Sequence, residues 1–280
     1  GGDDGGFLAR RLGGAGLADG EALGRLVQGV GIARQVGDGV DARSQGGVEI
    51  GRGSRVEAHA VVKGPTVIGV DNRIFQFASV GDDPQDKKYQ GEPTRLVIGD
   101  RNTIREFCTF NIGSPGDAGV TRVGDDNWIM AYVHLAHDCQ VGNQTIFANS
   151  AQLADHVHVG DWAILGGFTV VHQFVRIGAH SFTAMHSLLL ADLPPFVMCQ
   201  GQPAEARSMN FEGLRRRGFS AERISAVKAM HKALYRDDLT LDKAKEQIAQ
   251  LSQEKPESVP DVAMMLDFLN QTSAQRGIIR

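Results

Sequence analysis

The chain has 280 residues, 22% of them charged, and a formal net charge of −4. That length holds one large or two modest domains around a core, and that charge balance argues against a nucleic-acid binder. Three cysteines form neither an even framework nor a CxxC pattern, and no apolar run or signal-peptide core reaches membrane-spanning character, so free thiols in a cytoplasmic protein without stable membrane insertion are expected.

Residues 1–47 are rich in Gly, Arg, Asp and Ala and keep no repeat register. Fragments such as GGDDGG read as linker; the competing reading is that this segment stands where repeats belong and was read in a wrong frame. From residue 48 a six-residue period sets in with Ile50, Val56, Val62, Ile68, Ile74 and Val80. It resumes as Ile98, Ile104 and Phe110, then runs unbroken from Val123 through Ile129, Leu135, Val141, Phe147, Leu153, Val159, Leu165, Val171, Ile177 and Thr183 to Leu189. Neither helical nor alternating periodicity explains this pattern. Hexads predict a parallel β-helix, in which three short strands close a coil of about 18 residues and each repeat sends one side chain inward. The residue after the inward one is usually small, as at Gly124, Gly142, Gly160 and Gly178, which suits a tight turn. Residues 18 apart should then stand about 4.8 Å from each other on successive coils.

Two stretches interrupt the hexads. Residues 81–96 (GDDPQDKKYQGEPTRL) are polar with two prolines, so they predict an extruded loop, and loops of that length usually have a task; a shorter one is expected at 114–121. The β-helix is expected over residues 48–192, because Leu193-Pro194-Pro195 cannot continue a strand ladder. Residues 193–280 change period and predict a small helical domain. Ser220 is the N-cap expected for a helix carrying Ile224, Val227, Met230 and Leu234, and Leu241–Leu251 and Val262–Leu269 read as two more.

Seven of the nine histidines lie between His134 and His186. The 18-residue spacing puts Asp155 one coil above His137, and His156 one coil above Asp138. Three readings of the cluster stay open. They are ordinary surface imidazoles, an acid–base site at His137 with Asp138, His134 and His156, or a zinc site assembled from histidines of two subunits.

The motifs NWIMAYVHLAHDCQVGN, LADHVHVGDWAILGG, VVHQFVRIGAHS and NFEGLRRRGFS, with the loop QDKKYQGEPTRLVIGDRNTIRE and the closing QRGIIR, carry a resemblance. Over about residues 48–280 the chain resembles the UDP-N-acetylglucosamine acyltransferases that begin lipid A synthesis. The resemblance implies a mainly β fold, a left-handed β-helix followed by a helical domain, assembled as a C3 homotrimer with active sites between subunits. It implies transfer of an (R)-3-hydroxyacyl chain from acyl carrier protein to the glucosamine 3-hydroxyl of UDP-N-acetylglucosamine, with no cofactor or metal. His137 matches the general base and Asp138 the residue that orients it. His134, His156, His172 and Gln173 match positions lining the site. Gln85, Asp86 and Lys88 fall in the substrate-contacting loop, and Asn210, Glu212, Arg216 and Arg217 match the uridine diphosphate end. The chain departs from the family pattern at three places. Asp155 stands at the oxyanion position where glycine is usual, Asn111-Ile112 replaces His-Arg, and Met185 replaces the glycine that measures acyl-chain length. A carboxylate beside developing negative charge should weaken turnover, and Met185 should favour a shorter, 3-hydroxydecanoyl-type chain. The alternatives are another hexapeptide-repeat protein, either an N-acyltransferase or a zinc hydratase, and a catalytically weakened trimeric scaffold.

Overall fold

A computed structural model describes residues 31–32, 43–45, 47–116 and 119–280. Most of the N-terminal segment, and with it the choice between linker and misread frame, lies outside the described residues. Strand Arg43–Gln45 nonetheless pairs in parallel with Val61–Lys63, 18 residues on, so the ladder starts one strand before the hexads become readable.

The hexads form short strands that stack into three sheets of nine, nine and seven strands, parallel apart from the terminal pairs. Within the unbroken run each strand pairs with the one 18 residues later, as His134 with Gln152, Gln140 with His158 and Ile146 with Ile164. The result is a left-handed parallel β-helix, triangular in section. Its interior is the hexad column: Ile129, Leu135, Phe147, Leu153, Leu165 and Val171 are fully buried. Thr183, the polar exception, satisfies its hydroxyl against Thr169 Oγ1 (2.7 Å) and the Gly166 N–H (3.0 Å). The two extruded loops appear as longer register gaps, for Ile68 pairs with Ile98 and Phe110 with Leu135.

The coil turns at three corners, each through a non-glycine residue in the left-handed region. Tyr132, Ser150 and Phe168 mark one corner, Asp138, His156 and Phe174 the second, Gln144, Trp162 and His180 the third, with φ between 56° and 65°. The small residues expected to make the turns do something else. A Cβ on Gly124 would stand 2.6 Å from the Gly142 carbonyl oxygen, and one on Gly160 would stand 2.6 Å from the Ala179 nitrogen. They are small because the next coil's backbone fills the space. Inside one corner a buried ladder supplies acceptors to the backbone. Asn72 Oδ1 accepts from the Asn102 N–H (2.9 Å), Asn102 Oδ1 from the Asn127 N–H (2.9 Å), and Asn127 Oδ1 from the Thr145 N–H (2.8 Å).

After Leu189 the chain adds an element that the hexad reading does not name. An antiparallel hairpin of Val197–Gly201 and Ala204–Met209 extends one sheet by pairing Phe182 with Met198. Four helices follow: α1 (Phe211–Arg216), α2 (Ala221–Tyr235), α3 (Leu241–Glu254) and α4 (Val259–Asn270). Ser220 Oγ caps α2 by accepting from the Arg223 N–H (3.2 Å), as the sequence predicts. Buried Val227, Met230, Ile248, Leu251, Val262 and Met265 pack the helices together. The chain's last turn docks on the prism through buried Asp192, which accepts from Arg276 Nε (3.2 Å).

Candidate active site

His137 sits in the turn that follows the short strand His134–Leu135, and Asp138 at the corner, with φ of 60°. Asp is among the residues that enter the left-handed region most readily, and that conformation turns its carboxylate back onto its neighbour. Asp138 Oδ2 accepts from His137 Nδ1 at 2.9 Å and from the Ser114 N–H at 2.9 Å, while its own N–H donates to Thr121 Oγ1 at 2.8 Å. Both residues are buried. Since a carboxylate only accepts, Nδ1 carries the proton and the neutral ring leaves Nε2 as an unprotonated base.

The charges reinforce this arrangement. The Asp138 hydrogen bond raises the His137 imidazole above its usual range against the pull of burial, and the carboxylates of Asp155 and Asp86 act in the same sense. Burial alone would lift the Asp138 carboxyl, but the hydrogen bonds from His137 and Ser114 outweigh it and hold it below the ordinary range. Burial lowers the His134 imidazole, whose Nδ1 lies 2.7 Å from Thr109 Oγ1.

Nε2 of His137 faces a groove of about 290 Å³ lined by Gln85, His134, Gln152, Asp155 and Val170. The predicted stacking holds: the His156 N–H donates to the His137 carbonyl (3.1 Å), and the His156 ring meets the His137 ring edge-on at 5.3 Å while stacking on Phe174. Asp155 Oδ1 stands 3.5 Å from His137 Nε2. His172 and Gln173 lie exposed one coil further, with His172 Nδ1 3.1 Å from the Gln173 carbonyl oxygen.

Other predicted residues stand elsewhere in the chain. Asp86 shapes the long loop by accepting from the Lys88 N–H (3.0 Å). Asn210 caps α1 and donates to the His180 carbonyl (3.1 Å), Glu212 pairs with Arg216 (3.1 Å), and the Arg217 guanidinium lies 5.6 Å from the Trp162 ring centroid. This group therefore borders the Trp162–His180 corner. Met185, 69% exposed, belongs to the Phe168–His186 corner. Within one chain these two groups occupy corners other than that of His137. Asn111 is buried and donates to the Asp83 carbonyl (2.8 Å), tying down the long loop, and Ile112 is core.

Ser114, Thr121 and Thr109 escape the sequence reading. Ser114 stands at the start of the shorter loop and Thr121 on the strand that follows it (Val120–Val123), and the insertion stretches the spacing between neighbouring coils beyond 18 residues and so defeats the ruler. Ligand atoms of His137, Asp138 and His156 lie within 4.8 Å of one another; Asp138 Oδ2 takes two N–H donors, while its Oδ1 is buried with no hydrogen-bond partner among the described residues.

The match to known proteins agrees with this geometry. Residues 192–279 match the family model described as UDP-N-acetylglucosamine O-acyltransferase, domain 2, and residues 121–155 match the bacterial transferase hexapeptide model. The acyl-[acyl-carrier-protein]–UDP-N-acetylglucosamine O-acyltransferase of Albidiferax ferrireducens is 80% identical over 212 residues, 76% of this chain and 80% of that one. Among solved structures, the UDP-N-acetylglucosamine acyltransferase of Francisella novicida superposes with a TM-score of 0.83 at 36% identity, covering 93% of both chains. The O-acyltransferase of Moraxella catarrhalis gives 0.79 at 40% identity, covering 85% of this chain and 88% of its own.

Proposed function

The chain belongs to the UDP-N-acetylglucosamine O-acyltransferase family, and we propose that His137 is the general base with which it moves a 3-hydroxyacyl group from acyl carrier protein to the 3-hydroxyl of UDP-N-acetylglucosamine, the opening step of lipid A synthesis. The observation that carries this reading is the His137–Asp138 pair, with Nδ1 held at 2.9 Å and Nε2 turned to the groove. His137 Nε2 takes the proton from the sugar hydroxyl as its oxygen bonds to the thioester carbonyl carbon. The tetrahedral oxyanion then collapses, the carbon–sulfur bond breaks, and the imidazolium returns the proton to the departing thiolate. Base catalysis of this kind contributes about 10²–10⁴-fold, and alignment of the two substrates supplies much of the rest. Neither metal nor cofactor is required.

The main-chain N–H of Asp155 is the oxyanion donor in this scheme. His134, Gln85, His156, His172 and Gln173 contact the sugar and acyl chain, with Asp86 and Lys88 closing the loop side. Asn210, Glu212, Arg216 and Arg217 hold the nucleotide, a guanidinium fork suiting its diphosphate. These groups occupy different corners of one prism, which supports a homotrimer in which neighbouring chains bring them together. Met185 enters the acyl groove by the same route.

The test is an acyl-transfer assay with UDP-N-acetylglucosamine and hydroxyacyl carrier-protein thioesters, with the product's linkage read by NMR. A 3-O-acylated sugar nucleotide supports the reading. Absence of transfer overturns it in favour of a scaffold, and stoichiometric bound zinc would favour a hydratase.

A further inference from the structure

Each corner of the prism is a left-handed residue whose N–H needs a partner. Along the unbroken run it finds a main-chain carbonyl nineteen residues back: Gln144 on Asp125 (2.9 Å), Ser150 on Ala131 (3.0 Å), His156 on His137 (3.1 Å) and Trp162 on Asn143 (2.9 Å). Tyr132, whose coil spans the shorter insertion, still reaches the Glu106 carbonyl (3.0 Å). Asp138 departs from the pattern. The carbonyl nineteen residues before it, that of Gly119, is taken by the Arg95 N–H (3.0 Å), and the Asp138 N–H donates instead to the side chain of Thr121 (2.8 Å). We propose that Thr121 is a positioning residue for acyl transfer, its hydroxyl fixing the corner that aims Asp138 at His137. The role rests on His137 being the base.

The geometry gives this one hydroxyl its leverage. Asp138 holds a φ of 60°, a conformation that a non-glycine residue keeps only where its surroundings impose it. Its buried N–H is costly to leave unmet, and the carbonyl that the coil spacing offers is already taken. Without Thr121 Oγ1 the corner must turn to find another acceptor, and a turn about that φ carries the carboxylate with it. The contact that moves is the 2.9 Å between Asp138 Oδ2 and His137 Nδ1, which sets the tautomer of the ring. Thr121 itself is firmly held. It is fully buried on the strand Val120–Val123, whose Arg122 and Val123 pair with Gln140 and Val141 just past the corner. Gln140 Nε2 closes the other side, donating to the Val120 carbonyl (2.6 Å) and the Asp138 carbonyl (3.2 Å). The insertion also supplies the Ser114 N–H to Asp138 Oδ2. Breaking the coil spacing at this corner therefore gives Asp138 two partners that no regular coil would provide.

The test is steady-state acyl transfer across pH by the full chain as wild type, Thr121→Val, Thr121→Ser and Thr145→Val. Thr145 is an equally buried threonine inside another corner, its hydroxyl on Asn127 Oδ1 (2.6 Å), and it controls for lost packing. Thr121→Val should lower kcat by about tenfold, part of what general-base catalysis supplies, with KM for UDP-N-acetylglucosamine unchanged, and Thr121→Ser should recover most of the loss. The Asp138 hydrogen bond favours the protonated imidazole, so loosening it lowers the ring's pKa and moves the acidic limb of the profile to lower pH. NMR titration of His137 in the free protein reads the same shift without turnover, which separates a failure of positioning from a failure of the acyl-transfer reading. Thr121→Ala takes the place of the valine variant if that chain does not fold. An unmoved His137 titration, a wild-type kcat without the hydroxyl, equal effects in Thr145→Val, or no recovery in Thr121→Ser would overturn the proposal.

Discussion

His137 Nε2 stands 3.5 Å from the Asp155 carboxylate, so the nitrogen that must meet the substrate hydroxyl already faces a negative charge. Asp155 raises the imidazole's affinity for a proton, as Asp138 does from the other side. It also repels an oxyanion forming beside it.

Asp155→Gly should therefore raise kcat by about tenfold, equivalent to about 1.4 kcal/mol of relieved repulsion in a partly solvated groove. The base works only when deprotonated. Removing a carboxylate that favours the protonated ring lowers its pKa, so the acidic limb of the rate profile should shift to lower pH in the variant. Steady-state rates across pH check both effects, and a slower variant with an unmoved limb would contradict them.

Met185 lies at the Phe168–His186 corner and is 69% exposed, and in the proposed trimer it would fill the acyl groove. Wild type should prefer a 3-hydroxydecanoyl over a 3-hydroxymyristoyl thioester, and Met185→Gly should reverse the preference. Competition between the two thioesters measures it; a wild-type preference for the longer chain would refute the ruler role.

The helical domain rests on a buried ion pair. Asp261, 1% exposed at its side chain, accepts two hydrogen bonds from Arg223, at 2.8 Å and 2.7 Å, and the guanidinium lies over Phe219. Arg223→Ala leaves the carboxylate buried without its partner and should cost about 3 kcal/mol. Denaturant unfolding reads this directly. The Arg223→Ala, Asp261→Ala double variant should lose less than the sum of the singles.

Much of the fold is legible in the hexads because each inward side chain is buried at a fixed interval; the dyad is legible because its two members are sequence neighbours, and Asp155 and His156 beside it because residues 18 apart share an edge. The glycines were legible as small but for the wrong reason. Left-handed corners fall on Asp138, His156 and Trp162, whereas Gly124 and Gly160 lie under the neighbouring coil. The Ser114 and Thr121 contacts to Asp138 were not legible, since an inserted loop has no fixed spacing to count along. The corner assignment of Met185 follows from the same count, whereas Arg217 lies in the helical domain, beyond the hexads, and its approach to Trp162 leaves no spacing to count along. The Val197–Met209 hairpin carries neither hexads nor helical stripes and so left no period to read.

Gly160→Ala separates the two accounts of the glycines. If the next coil fills the space, the added methyl forces backbone apart and should cost about 1–3 kcal/mol. If the residue served only chain flexibility, alanine would be neutral or stabilising. Urea unfolding distinguishes these outcomes.

The central claim is that His137, aimed by Asp138, takes the proton from the sugar hydroxyl. Its most direct test is kcat for acyl transfer by wild type, His137→Ala and Asp138→Asn at saturating UDP-N-acetylglucosamine. The account predicts a fall of about 10²–10⁴-fold for His137→Ala, and a smaller fall for Asp138→Asn, with KM for the sugar nucleotide little changed in either. A His137→Ala protein that transfers acyl groups at the wild-type rate would contradict it.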